Sequence, residues 1–433
     1  MQLSEDQILA LAPDEPSKKA GKDLANPSKW VSKGINESAL WGECQGSGSK
    51  PYQTQIDLST LSFKCSCPSR KFPCKHGLGL LLFQSKHSNS FTDNKPPQWV
   101  ADWLEKRTEW AEKKAEQKDK PVDEVAQAKR QKAREQLVED GIDDLLLWMK
   151  DLVRSGILSI PENGTAVFDN LSKRMIDAKA PGLANMLKEL GRINFYQEGW
   201  QSLFMNQLCR IYLVIAGYKN KEKLNPFLLE DIRSNIGFTQ SQDELKEQDG
   251  VIDNWFVLGK QVQEEEAITT ERNWLYGTKT KRYALVLQFS VRGQGIAYSL
   301  TAGVSIEAEL VFFSSASPLR AIIKKQINAD LLPNIDGLSA WNDIVLMETS
   351  ITAKLPFSGI RPFIIEQITP ITYNNRWWLI DQNNHCVLLK DGYTNLYKLL
   401  ALSGGKPLKM AVLGKENEFE PIGVWINNQY TNI

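Results

Sequence analysis

Cys65, Cys67, Cys74 and His76 stand close together as C-x-C, six residues, then C-x-H. Three thiolates and one imidazole complete a tetrahedral shell, leaving no corner for a water or a substrate. That is the chemistry of a structural metal site rather than a catalytic one. The mixed sulfur and nitrogen set favours zinc over iron, and a single structural ion fills it. A lone cysteine is usually a small buried hydrophobe, the expected fate of Cys44, Cys209 and Cys386. A disulfide is the other use of clustered cysteines. Alternate cysteines make awkward loop closures, however, and nothing else in the chain points to an oxidising compartment.

Four ligands so close in sequence need short elements to aim them. Ala39–Cys44 reads as a strand and Gly46–Ser49 as a turn. Tyr52, Thr54, Ile56 and Leu58 alternate with Gln53, Gln55 and Asp57, the period of a half-buried strand. The hairpin runs into Cys65, and the turn carrying Pro68, Ser69 and Pro73 can return Cys74 and His76 over Cys65 and Cys67. The apolar run Gly77–Phe83 begins a helix. The expected module is a small zinc-stabilised ββα unit in which the metal replaces a large core. Residues before it read as short helical pieces and loops, with Trp30 an anchor onto the module.

The motif resembles the SWIM zinc finger, and flanking words make the likeness closer. Trp41-Gly-Glu-Cys-Gln-Gly-Ser-Gly48, Pro51-Tyr52 and Cys65-Ser-Cys-Pro-Ser-Arg-Lys-Phe-Pro-Cys-Lys-His76 are similar to bacterial SWIM zinc finger family proteins. Weaker similarities recur at Arg174–Ala178, Ala180–Leu183 and Leu400–Gly405. The resemblance implies zinc binding and contact with protein or nucleic acid. It also implies an association with MoxR-type ATPases or von Willebrand A domain proteins, and it supplies no reaction.

Around the motif Lys50, Lys64, Arg70, Lys71, Lys75 and Lys86 face a single acid, Asp57. A basic patch beside a helix N-terminus suits phosphate contact. The same cations could equally balance the zinc thiolates, and both readings stand.

Beyond the finger, residues 105–140 are dense in both charges and read as a solvated helix or linker broken at Pro121. Ile142, Leu145, Leu146, Met149, Leu152 and Val153 fall on one helical stripe. Helices are expected over 170–178, 181–190 and 200–216, making a helical domain over 99–224. After Asn225-Pro-Phe the pattern turns to strands, divided into β-rich domains over 225–330 and 331–433. Strands are expected over 253–259, 270–276, 282–291, 296–300 and 306–313, and a helix over 318–327. Later strands are expected over 364–368, 376–380, 386–389 and 408–413, with a helix over 395–402. No repeat in sequence is visible. The expected fold is therefore α+β and multidomain: a finger over 1–98, a helical middle and a β-rich C-terminal half.

Lysine plus arginine equals aspartate plus glutamate at 52 each, so the chain has no overall field with which to coat nucleic acid. The N-terminus reads as no signal peptide, no run approaches the ~20 apolar residues of a membrane span, and a reducing cytoplasm is expected. No Walker loop or nucleophile elbow appears. Outside the finger His87 and His385 are the only imidazoles, and His385 beside Cys386 reads as a turn pair rather than a catalytic dyad. The expected function is a non-enzymatic, zinc-binding interaction protein that grips a protein. Nucleic-acid binding through the basic finger is the alternative, and an enzyme hidden in the C-terminal half is a remoter one.

Overall fold

The computed structural model describes residues 5–12, 15–46, 48, 50–58, 62–69, 73–106, 124–163, 165–265, 268–291, 298, 300–330 and 335–433. Within them the chain is α+β and multidomain, with a Cys/His module, a helical bundle and two β-barrels in succession. No helix among the described residues is long and apolar enough to cross a membrane.

The module opens with α1 (Glu5–Ala10) and α2 (Glu15–Leu24). An antiparallel meander follows: β1 (Trp30–Ile35), β2 (Ala39–Cys44), β3 (Tyr52–Asp57) and β4 (Ser62–Cys65). It leads into α3 (Lys75–Lys86) and a helix described over 98–106, α4. Four strands thus stand where the sequence predicts a hairpin. Trp30 is the reason for the extra strand at the front: it stacks on Phe83 at 6.5 Å and its indole N–H donates to Leu24 O at 2.8 Å. β2 is buried on both faces, Leu40 and Cys44 meeting the α3 side and Ala39 and Trp41 meeting Val100 of α4. α2 and α3 touch at glycines, since a Cβ on Gly79 would lie 2.6 Å from Leu24 Cβ.

Of the stretch expected as a solvated helix or linker, 107–123 lies outside the described residues, including the Pro121 break. Glu124 opens a long helix, α5 (Glu124–Ser155). α6 (Ile160–Asn163), α7 (Ala166–Asp177), α8 (Pro181–Gly191), α9 (Trp200–Lys219) and α10 (Pro226–Ile236) follow. One core joins Ile142, Leu145, Met149, Phe168, Leu187, Phe204, Ile215 and Ile236 from these helices. The apolar stripe on α5 is only partly interior: Val153 is 61 % exposed. The switch to strands at Asn225 comes later than expected, because Asn225 caps α10 by accepting Phe227 N–H and Ile232 and Ile236 then pack into the bundle. α11 (Gln242–Glu247) is also helical.

The first barrel is built from β5 (Val251–Glu265), β6 (Ile268–Gly277), β7 (Tyr283–Val291), β8 (Ser305–Phe312) and β9 (Arg320–Asp330). It closes in the order β5-β6-β7-β9-β8, with only the β7–β9 pairing parallel. β9 occupies the stretch predicted as a helix; Ala321 and Ile323 alternate into the barrel core, a period of two rather than 3.6. The strand expected over 296–300 falls mostly on residues outside the description.

An unpredicted helix, α12 (Trp341–Lys354), leads to β10 (Arg361–Tyr373), β11 (Arg376–Ile380), β12 (Cys386–Leu389), α13 (Leu396–Ser403), β13 (Leu408–Lys415), β14 (Glu418–Ile426) and β15 (Gln429–Asn432). Five of these strands run in the order β12-β11-β10-β13-β14, and a parallel β12–β14 pairing closes the ring. Numbered from each barrel's own first strand, both have the order 1-2-3-5-4-1 with strands 3 and 5 parallel. This is the topology of the oligonucleotide/oligosaccharide-binding (OB) barrel. The chain therefore contains a repeat of topology without a repeat of sequence. Phe256, Leu258, Trp274 and Tyr276 of the first barrel pack on Ile364, Ala411, Leu413 and Ile422 of the second. The bundle docks on the first barrel through Gln240, which exchanges two hydrogen bonds with the Ser314 backbone at 3.0 Å each.

Candidate metal centre

β4 ends at Cys65, and Cys67 follows after one residue. The ladder continues past the strand end, since Ser66 N–H donates to Gln53 O and Ser66 Oγ accepts Gln53 N–H, both at 2.9 Å. This holds the C-x-C segment against β3. Cys74 is the residue before the first turn of α3, and His76 lies inside that turn. A Cβ on Gly77 would meet the Phe63 ring at 2.8 Å, so glycine lets the helix start lie directly on β4.

The ligating atoms of Cys65, Cys67, Cys74 and His76 all lie within 4.8 Å of one another. His76 Nδ1 is 3.7 Å from Cys65 Sγ and 4.0 Å from Cys74 Sγ. A tetrahedral ion with the usual Zn–S and Zn–N lengths would have a sulfur–nitrogen edge of about 3.6 Å. Donor types, count and separations therefore fit a four-coordinate ion of zinc's preference. Cys74 and His76 are buried, and the Tyr52 ring lies over the imidazole at 4.9 Å. Thr54, opposite Cys65 in the β3–β4 ladder, places its hydroxyl 3.2 Å from Cys65 Sγ. The strand period shows Tyr52 and Thr54 on one face, but only the pairing register reveals that this face meets the ligands.

The sulfurs are too close to be three free thiolates. Hydrogen bonds from Cys65 and then Cys74 hold the Cys67 thiol far below the ordinary thiol range. Its contacts with Cys65 and Cys67, together with burial, push Cys74 far above it. Cys65 is also raised, chiefly by its contact with Cys67. A divalent ion is what allows all three to ionise together.

Among the contact cations, Lys50, Lys64 and Lys75 are exposed. Lys86 is exposed too, but its Nζ lies 2.7 Å from Glu5. Arg70, Lys71 and the neighbouring Phe72 lie outside the described residues. Of the three cysteines expected to be buried, Cys44 is; Cys209 and Cys386 are exposed, because α9 and β12 turn those positions outward. Near Cys386, His385 Nδ1 is 3.4 Å from Asp381 Oδ2, but Asp381 serves the fold by accepting N–H bonds from Trp341, Asn383 and His385.

The SWIM zinc finger family matches residues 52–84. The SWIM-associated four-helix bundle domain matches residues 133–236, which covers most of α5 and runs to the end of α10. No curated protein matches the chain, and no solved structure does. The ligand cluster lies inside the first match and the shared helical core inside the second, so the chain carries a SWIM zinc finger followed by a SWIM-associated four-helix bundle domain.

Proposed function

We propose that this chain is a non-catalytic interaction protein of the bacterial cytoplasm, whose finger is closed by one structural zinc ion and whose helical bundle grips a protein partner. The closed donor set supports a structural ion: four donors leave it no open position at which to activate water. The single observation that carries the protein-binding reading is a groove of about 450 Å³ between α5 and α9. Met149, Val153, Met205, Leu208 and Tyr212 line it, with Lys150 and Arg154 beside them. Val153 and Tyr212 remain 61 % and 50 % exposed, an apolar surface that a soluble protein gains by covering. Methionines adapt to a partner's shape, and a groove between two helices accepts the apolar face of a third. Lys150 favours a helix with an acidic flank, whereas Arg154 is already paired with Asp151 at 3.4 Å. The partner class implied by the resemblance is a MoxR-type ATPase or a von Willebrand A domain protein, which would make this chain an adaptor.

The test is a pull-down of purified ATPase and von Willebrand A domain proteins from the same organism. A complex that forms with the wild type and is lost with Val153→Asp and Tyr212→Asp is expected. No complex with either protein would remove the adaptor reading.

Nucleic-acid binding by the finger is the second reading. It is favoured by Lys50, Lys64 and Lys75, which are exposed and have no carboxylate at ion-pair distance among the described residues. A salt-sensitive gel shift abolished by Lys64→Glu and Lys75→Glu would support it over the first.

A further inference from the structure

We propose that the free edge of β5 pairs with the same edge of a second copy of this chain, joining two molecules through one antiparallel sheet. β5 is longer than the barrel that contains it. β8 pairs with it from Val251 to Phe256 and stops, whereas β6 follows it out to Glu265. A register shift between Val257 and Gly259 marks where the two neighbours part. Beyond that shift, residues 259–265 have a paired strand on one side only among the described residues. The second barrel braces this stretch from its outer face, with Gln261 Nε2 donating to Glu420 Oε1 at 3.1 Å. It leaves a cleft of about 330 Å³ beside Lys260 and Gln261.

The ladder fixes which groups the edge presents. Leu285 N–H donates to Leu319 O, away from β6, so its partner Trp274 turns its own N–H and C=O toward Gly259 of β5. Counting on in twos, Gln261 and Gln263 also face β6, while Lys260, Val262 and Glu264 turn their backbone groups outward. Such a row is a template for another strand. Inward-pointing charge is one device that blunts an edge, and Lys260 Nζ does lie 3.6 Å from the buried Glu271. Val262, at the middle of the row, is apolar and 54 % exposed.

The order of residues along the row is what selects a second copy as the occupant. A two-fold axis at Val262 sets that residue opposite its own counterpart and Lys260 opposite position 264, an acid. Gln261 then stands opposite Gln263. Opposite charges facing across strands are favourable, and an apolar pair occupies the axis. In this register the three outward-facing residues meet one another, and each pair exchanges both of its backbone hydrogen bonds. A shift of two residues either way leaves one of the three without a counterpart among them. The joined sheet runs β7-β6-β5 of one copy into β5-β6-β7 of the other. The shared row is short, so the pairing is reversible and depends on concentration.

The experiment is sedimentation velocity of the full zinc-loaded chain over a wide range of concentration, where a monomer–dimer shift is expected. Val262→Pro removes the N–H groups of the central pair without touching a bond to β6, and weakens dimerisation roughly 5- to 150-fold. Glu264→Lys sets a cation opposite Lys260 and weakens it roughly 2- to 30-fold. Val262→Ile retains it. In Val262→Cys the facing Cα atoms stand about 5.5 Å apart, within reach of a disulfide, so oxidation gives a covalent dimer. The exposed Cys209 and Cys386 of the wild type set the background for that reading. Should the proline variant fail to fold, the lysine and cysteine variants still decide. A chain that stays monomeric at every concentration would overturn the proposal, as would Val262→Cys that cross-links no more than the wild type. So would a dimer that none of these β5 variants weakens, or one lost with Val153→Asp and Tyr212→Asp, which would place the contact at the bundle groove.

Discussion

His76 and Cys74 are the residues whose loss should cost most. Structural zinc contributes on the order of 10 kcal/mol in small fingers, more than a module of this size can replace. Cys74→Ser and His76→Ala are therefore expected to release the ion and expose residues 15–86 to limited proteolysis, while the barrels remain protected. Cleavage patterns equal to the wild type would contradict this. Asp381 gives a second prediction at this scale. Burial pushes its carboxyl up, but the N–H groups of Trp341, His385 and Asn383 outweigh that and hold it below the ordinary value of 3.8. A depressed native pKa contributes stability above the unfolded value, and that stability is lost as pH falls through the native one. Asp381→Asn should cost about 1.5–3 kcal/mol at neutral pH and progressively less below pH ~4, as read by denaturant titration. The four ligands could be read from spacing alone, because metal donors of this kind are rare and were adjacent. Tyr52 and Thr54 could not, since their role depends on a cross-strand register.

At the scale of elements, local chemistry decides what the sequence discloses. The amphipathic helices α7 to α9 announce themselves by period and by Pro181 at a helix start. β9 and α12 do not, because tertiary pairing overrides the weak local preferences of 320–330 and 341–354. The start of α3 offers a test of how tightly elements are fitted. With Phe63 only 2.8 Å from a Cβ on Gly77, Gly77→Ala should destabilise the finger by about 1–3 kcal/mol through overpacking. Zinc retention in a chelator competition would fall accordingly. Unchanged retention and melting would mean that Phe63 moves aside at no cost.

At the scale of the whole molecule, the C-terminal half is two barrels of one topology joined by a common apolar interface. Neither the closure nor the repeat shows in the sequence, because the closing pairings β7–β9 and β12–β14 are only two residues long in each case. Such contacts carry no local signature. Their interface, with Tyr283 hydroxyl accepting Ile364 N–H at 3.1 Å and Tyr430 hydroxyl donating to Leu258 O, makes the barrels one mechanical unit. A single cooperative thermal transition is expected for residues 249–433 expressed alone, and two separate transitions would show that the barrels are independent. The finger, in contrast, should melt by itself and only on metal removal. The claim beneath all of this is that Cys65, Cys67, Cys74 and His76 close on one ion. X-ray absorption at the zinc edge of protein purified from its own host tests it directly. A shell of three sulfurs at about 2.3 Å and one nitrogen at about 2.0–2.1 Å is predicted. A shell containing an oxygen from water, or protein that carries no zinc, would contradict it.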